Sequence, residues 1–249
     1  MTTMNNEDPA DPSVHERHVA GWRTHISHVG MDRPILFSAP MVRAIIAGTK
    51  TQTRRVLRVQ PPVDARQVST WHHPSPRPMY FAWVPTPHGD GGAEISDWPP
   101  VPCPYGQPGD RLWVREAHAL QNRYRNVWCT YAADGDRHAV PAPNLVTVSR
   151  PGLRPSIHMP RWASRITLDI TGVRVERLQD ISFADARAEG VAHWRNAEML
   201  KGLELCSQYR YEFEDMWNHI NGPGSWDADP WVWVIEFKVD REAEKEQPK

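Results

Sequence analysis

Apolar residues recur along this chain in short runs, most of them closed by glycine, proline or a polar pair. The first run, Pro34-Ile35-Leu36-Phe37, predicts a strand. Ser38 and Pro40 then give start signals for a helix carrying Met41, Val42, Ile45 and Ile46, which Gly48 stops. A strand is predicted over Arg55-Val56-Leu57-Arg58-Val59. Lys50 and Thr53 therefore fall on the connection between a helix end and a strand start, a position where a rigid scaffold commonly holds functional groups.

Further on, Arg111 to Glu116 alternates strictly, with Leu112, Val114 and Glu116 on one face and Arg111, Trp113 and Arg115 on the other, so one apolar face ends in a carboxylate. Val127 to Tyr131 predicts another short strand. Arg165 to Ile170 alternates until Gly172, where the apolar parity shifts to Val173 and Val175, the signature of a bulge. Ser182 opens a short capped helix that closes on Ala188-Glu189-Gly190, and a longer helix is predicted from about Arg195 to His219. The last strand, Trp231 to Phe237, is apolar on both faces and so is expected inside a sheet.

Between Gln60 and Pro108 the periodicity fades. Many of the chain's 24 prolines fall here, and one apolar run, Met79 to Val84, stands out. The segment reads as a long Pro-rich insertion with one edge hairpin, either a lid over a site or a disordered connection. Residues 1–30 and 240–249 read as polar tails. The remainder, 31–239 with its insertion at 60–108, reads as one domain of α+β class: many short strands with a few flanking helices, arranged as a small mixed β-barrel.

Composition narrows the function. No apolar run approaches the ~20 residues that cross a bilayer, and the N-terminus lacks the regions of a signal peptide, so a soluble, cytoplasmic protein with no membrane partner is expected. Cys103, Cys129 and Cys206 lie far apart, and no histidine pair, His72-His73 included, has ligand spacing, so neither a disulfide framework nor a metal is expected. No motif for a nucleotide cofactor is present. The formal net charge of −1 hides a split: residues 178–249 hold 15 acids against 8 Lys and Arg, and the first 177 residues hold 15 against 21. A basic front half suits a phosphate-bearing partner, nucleic acid or a nucleoside or nucleotide.

Gly48-Thr49-Lys50 followed by Thr53, the Pro108-Gly109-Asp110 turn into a strand, and the helix Ala184 to Gly190 with its Ala-Glu-Gly ending together resemble the ASCH domains of the PUA-like superfamily. The resemblance spans roughly 33–239, with 60–108 as an insertion. It is closer still to phage and prophage proteins sharing the stretches 50–55, 109–116, 156–165 and 221–233. One ASCH branch, the bacterial acetylcytidine amidohydrolases, has a lysine, a threonine three residues later and a glutamate on the following helix. The resemblance thus implies Lys50, Thr53 and Glu189 as a catalytic set for hydrolysing an amide on a modified nucleoside. A non-catalytic reader of RNA, DNA or a modified base is the alternative, and a ribonuclease a third.

The chemistry has its own logic. Amide hydrolysis needs a nucleophile, a base and an oxyanion donor. Thr53 offers a hydroxyl, Lys50 becomes a base only if burial or nearby cations lower its pKa from about 10.4, and Glu189 passes a proton. Arg54 and Arg55 supply phosphate attraction, and strand alternation lets only one face the pocket easily. Glu116 either enters the barrel mouth or pairs with an arginine. Arg115, Arg161, Trp162 and Arg165 add cations and an aromatic plane suited to nucleic acid. Each also has a plain structural reading: a solvated lysine, a backbone-bonded threonine, a core tryptophan.

Overall fold

Leu112 and Val114 are buried and their neighbours half-exposed, and the same alternation runs through Met79–Ala82 and Asn126–Tyr131. The computed structural model describes residues 31–71, 77–85, 93–123, 126–140, 152–191 and 205–240. The two predicted tails (apart from Asp240), His72 and His73, and the stretch 195–204 of the predicted long helix lie outside the described residues.

The central element is a five-stranded sheet. Its strands are β1 (Asp32–Leu36), β7 (Arg111–Arg115), β12 (Thr167–Arg177), β13 (Trp231–Val239) and β2 (Gln52–Val56), in that spatial order. Only β1 and β7 run parallel; the other pairs are antiparallel. The predicted bulge is present, as the β12–β13 register shifts between Ile170 and Gly172. Strand β13 lies inside the sheet and explains its two apolar faces. Trp231, Trp233, Ile235 and Phe237 enter one core with Ile35, Phe37, Val42, Ile45, Leu112 and Leu168. Val232 and Val234 enter a second core with Phe213, Met216, Trp217 and Trp226.

Among the described residues three α-helices flank this sheet: α1 (Ala39–Ile46), α2 (Phe183–Ala188) and α3 (Leu205–Asn221). A second sheet, β10 (Arg137–Val140), β9 (Asn126–Tyr131), β8 (His118–Arg123) and β11 (Leu153–Arg154), covers a third apolar cluster around Leu120, Cys129, Tyr131 and Met159. The class is mixed α+β. Among the described residues the central sheet does not close into a barrel: β1 and β2 remain its two edges, and the Arg55 guanidinium reaches across to donate to the Leu36 carbonyl.

Two expectations need correction. Strand β2 begins three residues earlier than predicted and ends at Val56, so Thr53 stands within it, opposite Ile235, rather than on a loop. The segment 60–108 holds more than one edge hairpin. It contributes β3 (Gln67–Trp71), β4 (Met79–Pro85), β5 (Ala93–Ile95) and β6 (Val101–Pro102), with β4 at the centre. Tyr80 and Ala82, on alternate β4 positions, are buried in the main core, and the Tyr80 ring meets Trp233 edge-on at 4.7 Å. The segment is thereby packed against the central sheet.

Candidate functional site

Two helix ends make the site. Helix α1 stops where Gly48 takes φ +73°, a left-handed conformation that glycine adopts without the penalty a Cβ imposes. The amides of Thr49 and Lys50 then both return to the Ala44 carbonyl, and this wraps Lys50 back beside the helix. Helix α2 starts on a capping box between Ser182 and Asp185 and stops at Gly190, φ +76°. The two ends are stitched together by the Thr51 amide donating to the Ala188 carbonyl at 2.9 Å and by a backbone bridge between Lys50 and Glu189.

At this junction the Lys50 Nζ donates to the Glu189 backbone oxygen and to Glu189 Oε2, both at 2.8 Å. Their side chains are 0% and 2% exposed. The amine therefore caps the end of α2 as well as pairing with a carboxylate, which offsets the unfavourable placing of an acid at a helix C-terminus. The other carboxylate oxygen, Oε1, accepts from Arg54 Nη1 at 3.1 Å. Arg54 is itself wholly buried, bonds Glu176, lies 3.5 Å from Asp185 and sits over the Phe213 ring. Arg174 joins the same carboxylates from β12. Arg54 is thus consumed by an internal ion network, whereas sequence reasoning gave it to phosphate attraction.

Burial lowers the Lys50 pKa from the ordinary lysine value; Glu189 opposes this, and Arg55 and Arg54 add to it. That is the direction a basic amine requires.

Beside the pair opens a cavity of about 130 Å³, walled by Thr53, Arg55, Tyr105, Glu189, Phe213 and Trp217 among others. Lys50 is not in the wall; it stands behind Glu189. The Thr53 side chain is buried, and among the described residues its hydroxyl has no hydrogen-bond partner. Both Arg54 and Arg55 border the cavity, where alternation allowed only one with ease.

The other anticipated residues gather elsewhere. Glu116, buried at the end of its apolar face, is held by Arg165 through two bonds of 2.9 and 3.1 Å, so of its two expected fates the arginine pair is the one found. Arg165 also binds Asp134 and lies over the Tyr131 ring at 4.1 Å. Arg115 and Arg161 flank Trp113, the first bonded to the Ile157 carbonyl and the second to Asp32. Trp162 is half-buried against the third apolar cluster. None of these borders the cavity.

Sequence reasoning missed Tyr105, Phe213 and Trp217 in the wall, and Glu176 and Asp185 behind it. Phe213 and Trp217 are four residues apart on α3, so the helical period carries a signal for a shared aromatic face. Tyr105 has none, since it lies in the Pro-rich stretch. Among the described residues no group of three His, Cys, Asp or Glu is arranged to hold a metal.

The ion network sets an acid limit. Burial pushes the Asp185 carboxyl up, but the Ser182 hydroxyl, Arg54 and Arg174 outweigh it and hold it below its ordinary value; Arg165 does the same for Asp134. A depressed carboxyl contributes stability that is present above its unfolded pKa of about 3.9 and is lost as pH falls through its folded value. Glu116, raised by burial, works in the opposite sense. Urea midpoints are therefore expected to fall below about pH 4, and Asp185→Asn to flatten that part of the profile. A variant with the wild-type acid limb would refute the assignment.

Compared with protein-family models, with curated proteins and with solved structures, the chain matches none.

Proposed function

We propose that the cavity beside the Lys50–Glu189 pair receives the ring of a nucleobase, and that the protein is a PUA-like, ASCH-type domain that recognises nucleic acid or a nucleoside. The observation that carries this reading is the meeting of Lys50 and Glu189, 139 positions apart, against a cavity that Thr53 also borders. Its volume of about 130 Å³ is on the scale of the apolar cavity of about 150 Å³ that holds benzene, which favours one ring over a fused pair. Phe213 and Trp217 supply apolar walls, while Thr53, Arg55, Tyr105 and Glu189 supply the few convergent polar groups that orient a ligand. The mixed sheet with flanking helices is compatible with a PUA-like core, although among the described residues its edges are unpaired.

A hydrolytic reading has one specific support: the Thr53 hydroxyl, unpartnered among the described residues, shares the cavity with Glu189, behind which stands a lysine whose charge burial disfavours. On this reading Thr53, or a water beside it, attacks an acyl carbon on the exocyclic nitrogen of the base. Glu189 takes the proton through a free lone pair and passes it to the leaving amine; where Thr53 is the nucleophile, a water then cleaves the resulting ester and releases the acid. Lys50 acts through Glu189, as the group that positions it.

Calorimetry and product analysis on cytidine, an N4-acylated cytidine, an RNA oligomer and modified DNA test both readings. Nucleobase binding is expected, with Thr53→Val weakening it roughly fivefold, the worth of one neutral hydrogen bond. Turnover of the acylated probe that disappears in Lys50→Ala assigns catalysis; binding without turnover assigns a reader. If no probe binds, the pocket reading falls.

A further inference from the structure

Two neighbouring arginines on β2 are treated in opposite ways. Arg54 has its buried charge surrounded by Glu176, Asp185 and Glu189. For Arg55, among the described residues, no carboxylate comes within ion-pair distance. It donates one N–H to the Leu36 carbonyl, and its guanidinium lies over the Phe37 ring, 5.3 Å from the centroid. Its Nε is shut off from solvent and has no partner. A guanidinium carries five N–H donors, so most of this one's capacity is unspent although the group borders the cavity.

Leaving a cation partly desolvated and unpaired is costly, and such groups are normally matched by an anion. Tyr105 stands in the same wall, brought there by the turn in which the Gly106 amide returns to the Cys103 carbonyl. Among the described residues its hydroxyl has no hydrogen-bond partner either. A forked donor beside a phenol suits the oxygens of a phosphate, which arginine binds through two parallel N–H bonds. The carboxylate in the cavity, Glu189, acts on Arg55 only beyond ion-pair distance, its hydrogen-bonded cations being Lys50 and Arg54.

We infer that Arg55 and Tyr105 form an anion subsite in the cavity wall, and that the pocket's ligand carries a phosphate monoester next to its ring: a pyrimidine nucleotide in preference to a free base or nucleoside. This rests on the nucleobase reading for the ring and on Arg55 and Tyr105 alone for the phosphate. Arg55 also bears on the Lys50 amine electrostatically, so a phosphate at Arg55 would ease the charge felt at the buried pair.

Isothermal titration with cytidine, cytidine 5′-monophosphate and inorganic phosphate, at low and high salt, separates the two parts. The monophosphate is expected to bind the wild type roughly 10- to 100-fold tighter than the nucleoside, the range of charge-assisted hydrogen bonds. Added salt and Arg55→Gln should erase most of that advantage. Arg55→Lys, which keeps a charge without the fork, should keep part of it, and Tyr105→Phe should lose a smaller share. Circular dichroism checks that each variant is folded. Equal affinity for nucleoside and monophosphate, an advantage indifferent to Arg55, or no binding of any probe overturns the subsite. Inorganic phosphate binding that requires Arg55, with no response to either cytidine compound beyond it, keeps the subsite and removes the nucleobase reading.

Discussion

Replacing Glu189 by alanine is expected to lower the unfolding free energy by about 3–5 kcal/mol, the cost of stranding a buried charge. The reason is the double duty of this carboxylate: Oε2 holds Lys50 and Oε1 holds Arg54, and both cations have side chains that are 0% exposed. Arg54 retains Glu176 and Asp185 after the change. Among the described residues Lys50 retains the Glu189 backbone oxygen and the face of the Phe37 ring, 5.7 Å away, and no anion. The loss should appear as a lower urea midpoint at unchanged slope. Removing the lysine's charge as well, in Lys50→Met/Glu189→Ala, should recover at least half of it, because the penalty belongs to the unpaired ion and replacing a whole buried pair by apolar groups is often tolerated. A single-variant loss below about 1 kcal/mol, a value typical of exposed pairs, would mean that water reaches Lys50 and that the junction is looser than described.

Gly190→Ala is expected to be nearly as damaging, at about 2–5 kcal/mol, from the left-handed backbone penalty together with overpacking. At φ +76° a side chain is strained wherever it points, and here its Cβ would come within 2.8 Å of the Lys50 Cβ and 2.9 Å of the Ala44 Cβ. Both clashing atoms are Cβ atoms fixed to the backbone, so no rotamer change moves them away. The junction of the two helix ends must therefore open, and Lys50 and Glu189 must part. Gly48→Ala is the informative control, since φ there is +73° but open space surrounds the position. It should carry the backbone penalty alone and leave ligand binding intact. Equal losses for the two variants would show that packing at Gly190 contributes nothing.

Periodicity made much of the scaffold legible. Leu112 and Val114, the parity shift at Gly172 and the two-faced Trp231–Phe237 run all specify burial directly, because apolar side chains carry their destination in their chemistry. Polar residues do not. Lys50, Gln52, Thr53 and Arg54 are all buried, yet their composition reads as a loop, and the strand the pattern predicts starts three residues later than β2 does. What buries them is supplied by Glu176, Asp185, Glu189 and the β13 backbone, more than 120 residues away, and no local window contains that information. The prolines of 60–108 hid four strands for a related reason: short strands that add to a sheet already covering a core need few apolar residues of their own. Glu116 reads equally as entering the barrel mouth or pairing with an arginine, and Arg165 as a cation for nucleic acid; complementary charge draws the two together and Arg165 to Asp134 as well. The Lys50, Thr53 and Glu189 set came from resemblance alone; the geometry supports their proximity, and their chemistry awaits the probes named above.

The junction at residues 50 and 189 has a thermodynamic corollary. Its halves lie 139 positions apart in the chain, so a molecule in which α2 has not docked has neither the pair nor the wall that Glu189 provides. Occupancy and folding are then linked equilibria. A ligand at a hundred times its dissociation constant adds about 2.7 kcal/mol to the native state, and a thermal-shift screen across nucleotides would read out recognition without any need for turnover.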